Sequence, residues 1–167
     1  MSRQATRRKF LTATTTSAGG AAGALVMGAT AQSVPKEGKL AKKVVTRPGQ
    51  RMTPSSVLSP GIQFGNLVFV SGQSAHDPAT QKLASGTFQD QVRQCLENVK
   101  AVVEASGSSM EKVLKCNVFL TDIANFQEMN EVYHKFFPEN PPARSTVAVK
   151  DLPGASPVEI ECIAYTA

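Results

Sequence analysis

The sequence predicts an α+β domain, a mixed β-sheet with two helices packed on one face. Three observations carry that expectation. Runs rich in β-branched residues read as strands, and two of these runs flank the hairpin pair Gly65-Asn66. Two stretches with apolar residues three and four apart read as amphipathic helices. The resulting order, β-β-β-α-β-α-β-β, lies in a chain of 167 residues, a length that fits one domain.

Each element has its own warrant. Lys43-Val44-Val45-Thr46 is a short strand, and Arg47 to Pro60, with three prolines and several serines, is a loop. Ile62-Gln63-Phe64 and Leu67 to Ser71 form the hairpin, and Ser74 to Gly86 is a loop marked by Asp77-Pro78 and Ser85-Gly86. Thr87 to Ala105 is the clearest helix. Phe88, Val92, Cys95, Leu96, Val99, Val102 and Val103 make one apolar stripe, Thr87 with Asp90 resembles a capping box, and Gly107 follows the end. Met110-Glu111-Lys112 leads into a strand from Val113 to Leu120, alternating at Cys116, Val118 and Leu120. A second helix starts at an Asn125 cap with Glu128 three residues on. Its face is Phe126, Met129, Tyr133, Phe136 and Phe137, and Pro138 with Pro141-Pro142 stops it. Ser145 to Val149 and Val158 to Tyr165 are the last strands. With both helices on one face, the other sheet face is uncovered. If it is apolar it must be buried against further copies, which predicts a homo-oligomer.

The first 31 residues read as a leader rather than as part of this fold. Arg7-Arg8-Lys9-Phe10-Leu11 puts paired arginines before a weakly apolar Ala/Gly/Thr-rich stretch, and Ala29-Thr30-Ala31 is a small-x-small cleavage site. Charged, apolar and cleavage regions in that order make a signal peptide, and the paired arginines specify the twin-arginine route. The expected organisation is a signal peptide at 1–31, a linker at 32–42 and one domain at 43–167, exported to the periplasm or beyond. The apolar stretch is shorter than the roughly 20 strongly apolar residues of a membrane span, and no Cys follows the cleavage site to carry a lipid, so no anchor is expected after cleavage.

Removing the leader changes the charge. From residue 32 onward, 14 basic side chains face 13 acidic ones, a formal charge of +1. The basic character of the whole chain therefore belongs largely to the leader and gives no argument for a nucleic-acid partner. Cys95, Cys116 and Cys162 sit inside apolar periodic segments and are expected as buried thiols. Their spacing fits no metal motif, and His76 and His134 share no spacing with them, so no metal site is expected.

Two features can carry chemistry. Asn140-Pro141-Pro142-Ala143-Arg144-Ser145-Thr146-Val147 holds Arg144 at the mouth of a strand after a rigid turn. An arginine so held can grip a small carboxylate bidentately, or it can serve a structural ion pair. Arg93, by contrast, falls on the polar side of the first helix, and Arg51 lies in a loop. In Val158-Glu159-Ile160-Glu161-Cys162 the two acids point to one sheet face, either exposed or lining a cleft, where a desolvated carboxyl could handle the proton of a water.

Four segments together reach a family. Phe64-Gly65-Asn66-Leu67-Val68-Phe69-Val70-Ser71-Gly72-Gln73, Met129-Asn130-Glu131-Val132-Tyr133, Pro142-Ala143-Arg144-Ser145 and Val158-Glu159-Ile160-Glu161 resemble the RidA/YjgF family in order and spacing, over nearly all of Val44 to Tyr165. The resemblance implies a chorismate-mutase-like α+β fold and a homotrimer with three clefts between subunits. It implies hydrolytic deamination of reactive 2-imino or enamine acids to 2-keto acids and ammonia, without metal or cofactor. Matched residue by residue, Arg144 takes the place of the family arginine that binds the substrate carboxylate. Glu159 takes that of the acid that positions or activates water, Ser71 and Gly72 that of the cleft wall, and Asn130 that of the cleft asparagine. Two positions depart from the pattern. Leu58, in Val57-Leu58-Ser59-Pro60, stands where deaminating members usually carry Tyr, and it has no hydrogen bond to give. Thr146 stands where many have Cys, and its hydroxyl can still hold a water beside Glu159. A module of the same fold that binds small carboxylates without turnover is the competing expectation. A ribonuclease is disfavoured by the +1 charge and the lack of a basic, aromatic patch.

Overall fold

The computed structural model describes residues 40–166. The elements are β1 (Lys43–Val45), β2 (Gly61–Phe64), β3 (Leu67–Ser74), α1 (Phe88–Ala105), β4 (Val113–Leu120), α2 (Phe126–Phe136), β5 (Ala143–Ala148) and β6 (Val158–Tyr165). The order is the one the sequence predicts, and the fold is α+β. The leader at 1–31 and most of the linker at 32–42 lie outside the described residues.

The six strands form one sheet in the order β1-β2-β3-β6-β4-β5. β1, β2 and β3 are a meander, closed at Gly65-Asn66 by a two-residue turn in which Phe64 pairs with Leu67. β6, last in sequence, enters between β3 and β4 and runs antiparallel to both. β4 and β5 are parallel, so a crossover must join them, and α2 is that crossover. α1 likewise carries the chain from β3 to β4.

The core lies between the helices and one sheet face. α1 contributes Val92, Cys95, Leu96, Val99, Val102 and Val103, all fully buried, as its stripe predicts. The sheet answers with Val68, Val118, Leu120, Val158, Ile160 and Ala164. Each valine, leucine or isoleucine among them contributes about 1.5–3 kcal/mol by leaving water. The three cysteines are buried free thiols of this layer. The capping box at Thr87 forms, with the side chains and backbones of Thr87 and Asp90 bonding reciprocally. Arg93, on the exposed face, pairs with Asp90 at 2.7 Å, and that contact together with the cap holds the Asp90 carboxyl down at about 2.

Four local expectations are corrected. Asn125 makes no capping bond. Asp122 instead accepts from Ala124 N and starts a single 3-10 turn, Ile123–Asn125, that runs straight into α2. On α2, Val132 takes a fully buried place, while Phe126 and Phe136, the first and last residues of the helix, are only half-buried. β3 extends to Ser74 rather than stopping at Ser71, since a bulge at Ser71-Gly72 lets pairing with β6 resume at Gln73. β5 begins at Ala143 and ends at Ala148, because its parallel pairing with β4 starts immediately after the proline turn.

One buried polar residue lies inside the apolar stripe of α1. Asn98 is 4% exposed and its Nδ2 donates to the carbonyls of Ser74 and His76, at 2.9 and 2.8 Å. It clamps the outgoing end of β3 to the helix. Asn98→Ala leaves two half-buried carbonyls without that donor and is expected to lower stability by about 1–3 kcal/mol. A urea midpoint equal to that of the parent would refute the clamp.

Candidate functional site

Arg144 opens β5 behind a turn made rigid by Pro141 and Pro142, with Asn140 in the left-handed region at φ 47. It stands in register with Cys116 on β4, and Cys116 stands in register with Cys162 on β6. These are core positions, so Arg144 points to the helix side of the sheet. There its guanidinium lies 4.5 Å from the Tyr133 ring centroid and 5.6 Å from that of Phe126. Its Nη2 donates to Asn130 Oδ1 at 2.7 Å. Phe126, Asn130 and Tyr133 come from one face of α2 at steps of four and three. Among the described residues Arg144 pairs with no carboxylate. Its charge is met by a neutral amide and two rings, a setting that leaves its donors for an incoming anion.

The surroundings contain two unsatisfied hydroxyls. Thr146 Oγ1 and Tyr133 Oη are buried with no hydrogen-bond partner. Burial pushes the Tyr133 phenol up and keeps it protonated, beside the Cys116 thiol. A cleft of about 480 Å³ opens here, lined by Asn130, Tyr133, Phe137, Pro142 and Arg144 among others.

The second group of residues surrounds the bulge. Between the rungs Val70–Cys162 and Gln73–Ile160, Ser71 and Gly72 together oppose Glu161. The Ser71 hydroxyl donates to Ser59 O at 2.6 Å and its N–H to Pro60 O at 3.0 Å. That ties the loop carrying Leu58 to the bulge, and Leu58 itself stands 63% exposed. Glu159 rests its carboxyl on Gly72. A Cβ added at Gly72 would stand 2.6 Å from Glu159 Cδ. Burial, and then repulsion from Glu161, raises the Glu159 pKa above the ordinary carboxyl range. The two acids differ in partner: Asn117 Nδ2 donates to Glu161 Oε1 at 2.8 Å, whereas no side chain among the described residues bonds Glu159. Glu161 is occupied and Glu159 is free to act. Gly72→Ala is expected to displace the Glu159 side chain while leaving Arg144 and Asn130 as they are. A crystal structure of the variant with Glu159 unmoved would refute the close fit.

Glu159 is paired with Phe119 and Arg144 with Cys116, residues of opposite parity on β4. Arg144, Asn130 and Thr146 therefore share the helix side, and Glu159, Ser71 and Gly72 belong to the open face. Within one chain Thr146, two residues from Arg144 along β5, lies across the sheet from Glu159. Tyr133, the floor under Arg144, is absent from the sequence-predicted site. Its place one turn from Asn130 on the same helix face is the clue.

Comparison with known proteins follows the same segments. The family model for Endoribonuclease L-PSP matches residues 48–166. The chain is 46% identical over 112 residues to RutC family protein PH0854 of Pyrococcus horikoshii, covering 67% of this chain and 89% of that one. It is 39% identical over 122 residues to a 2-iminobutanoate/2-iminopropanoate deaminase of Dermatophagoides farinae, covering 73% and 94%. The crystal structure of Escherichia coli TdcF with bound serine superposes with a TM-score of 0.69 at 38% identity, over 75% of this chain and 98% of that one.

Proposed function

The chain belongs to the endoribonuclease L-PSP, or RidA, family, and from that premise we propose that it hydrolyses reactive 2-imino and enamine acids to 2-keto acids and ammonia. The observation that carries this reading is the Arg144 site: a cation on an aromatic floor, backed by Asn130, with no carboxylate partner among the described residues and two unpartnered hydroxyls on the same side. A relative named as an imino-acid deaminase and a neighbour holding the amino acid serine support it. Arg144 holds the substrate carboxylate. Glu159 takes one proton from water as the water oxygen bonds to the imine carbon and the C=N π pair moves to nitrogen, and it passes that proton to the nitrogen. It then carries the remaining hydroxyl proton of the carbinolamine to nitrogen as the C–N bond breaks, leaving the keto C=O and ammonia. Positioning and modest acid–base help suffice for substrates that already hydrolyse in water.

Arg144 and Glu159 leave opposite sides of one sheet, so the cleft takes its arginine from one copy and its acid from the next. Three copies closed head to tail give three such clefts. Exposed apolar side chains on the open face, Phe69 at 43% and Val147 at 48%, support burial of that face in the ring. The test is ammonia and keto-acid release from imines made in situ by an amino-acid oxidase. Acceleration over buffer that depends on Arg144 supports the proposal, and rates equal to buffer refute it. Leu58 favours one other reading, a carboxylate-binding module without turnover, since no donor stands at its exposed position. Saturable binding of a 2-keto acid, lost in Arg144→Ala, with no turnover would select it.

The same protein is exported, in this reading, by the twin-arginine leader at 1–31. Replacing Arg7 and Arg8 together with lysine is expected to leave the full-length precursor in the cytoplasm, read by fractionation and intact mass. Export unchanged in that variant would refute the leader.

A further inference from the structure

The core beside Arg144 holds two thiols that the reaction above does not use. Cys116 on β4 lies in register with Arg144 on one side and with Cys162 on the other. The kind of rung that joins the two cysteines follows from the end of the ladder. Thr121 N donates to Pro157 O at 3.1 Å, and these residues are directly opposed, one step beyond the Leu120–Val158 rung. Opposed residues of an antiparallel pair alternate between hydrogen-bonded and non-hydrogen-bonded rungs. The register runs without a shift from Leu120–Val158 back to Cys116–Cys162. Thr121–Pro157, Phe119–Glu159 and Asn117–Glu161 are therefore bonded rungs, and Cys116–Cys162 is a non-bonded one.

A non-bonded rung sets its Cα atoms about 4.5 Å apart and brings the side chains closer than a bonded rung does. That separation lies inside the range a disulfide spans, about 4.4–6.8 Å between Cα atoms. Both side chains leave the same face, buried in the layer under the helices at 0% and 4% exposed. Burial, and then the neighbouring Cys116 thiol, push the Cys162 thiol up. Cys95, the third cysteine, reaches in from α1, and its Sγ donates to Gln73 O at 2.9 Å.

We propose that Cys116 and Cys162 are a modification site, a cross-strand pair that a small disulfide oxidant closes into a bridge between β4 and β6. One cysteine, as its thiolate, attacks a sulfur of the oxidant, and a first small thiolate leaves. The other cysteine then attacks the protein sulfur of the mixed disulfide, and the second small thiolate leaves. The protons of the two protein thiols end on the two released thiols, and the two electrons given up by the cysteines reduce the oxidant. Only the thiolate reacts, and burial keeps both cysteines protonated. Closure is therefore slow in the finished fold and fast while the chain is folding. The leader proposed above would take the chain to a compartment where such oxidants act. The bridge closes a long loop, from Cys116 through α2 and β5 to Cys162, and so stabilises mainly by restricting the unfolded chain.

The test is refolding of the full-length chain from urea in a mixture of oxidised and reduced glutathione, followed by alkylation, intact mass and peptide mapping. The bridged protein is expected to have lost two hydrogens, to take up one alkyl group rather than three, and to yield a linked peptide pair joining Cys116 to Cys162. Its melting midpoint should lie about 5–10 °C above that of the reduced protein. Cys95→Ala should bridge as wild type does, and Cys116→Ser should form no bridge. Three alkylated thiols after refolding, a glutathione adduct that goes no further, or a link from Cys95 to either partner overturns the inference. So does a bridged protein that melts no higher than the reduced one, since the register would then not fit the bond.

Discussion

Replacing Arg144 with alanine is expected to lower kcat/KM for 2-imino acids by about 10²–10³-fold, the effect of removing the partner of a desolvated charge. The loss should appear as well in the affinity for the product 2-keto acid, measured by calorimetry, because the arginine meets the carboxylate in substrate and product alike. Arg144→Lys should recover part of the affinity but not the bidentate geometry. The placement of the two charges makes a sharper form of the test. Arg144 is on the helix side of the sheet and Glu159 on the open face, so one copy's defect can be made good by its neighbour. Refolding an equal mixture of Arg144→Ala and Glu159→Gln chains should restore roughly a quarter of wild-type turnover. That is the fraction of head-to-tail interfaces in which an intact arginine meets an intact acid. No recovery in mixed assemblies would mean that the cleft is not shared.

Replacing Glu159 with glutamine is expected to lower kcat by about 10²–10⁴-fold while leaving keto-acid affinity close to that of the parent, since it removes the proton acceptor and not the anion grip. The wild-type acid limb should lie above the ordinary glutamate range. Burial and Glu161 raise this pKa, and activity requires the ionised form. Equal kcat in the variant would remove Glu159 from the chemistry. The same substitution should also change stability. A carboxyl whose pKa is raised in the fold binds its proton more tightly folded than unfolded. The fold is therefore penalised as pH rises through the ordinary range towards the raised value. Glu159→Gln is accordingly expected to be more stable than wild type at neutral pH, with the difference vanishing below the ordinary glutamate pKa of about 4.3. Thermal melts at neutral and acid pH read both limbs.

Most of the fold is legible in the sequence because its signals are local and repeated. The stripe from Phe88 to Val103 has one physical meaning, and all of it but the terminal Phe88 is buried in the core. The alternation of Cys116, Val118 and Leu120 is equally plain. Signals were lost where a non-local partner decided the outcome. Ser74 reads as loop by its neighbours and becomes strand because β6 is there to pair with it across a bulge. Asn125 reads as a cap and is bypassed, because Asp122 captures the preceding turn first. Asn98 is silent in the sequence, a polar residue in an apolar stripe, until two carbonyls of the β3 exit come to lie above it.

The site divides in the same way. The residue types and their spacing were enough to single out Arg144 as either an anion grip or an ion-pair partner, and the strand period to put Glu159 and Glu161 together on one face. The resemblance preferred Glu159, and in the fold Asn117 engages the other acid, Glu161. What no one-dimensional pattern holds is which face of the sheet each strand presents. That depends on register between β4, β5 and β6, strands brought together by crossovers and by the insertion of the last strand into the middle of the sheet. The sequence by itself therefore determined the elements, their order and the chemical groups. Only the tertiary structure decided that Arg144 and Glu159 stand back to back. A one-residue change of register would turn every side chain of a strand to the other face, and register is set by partners far away in the chain.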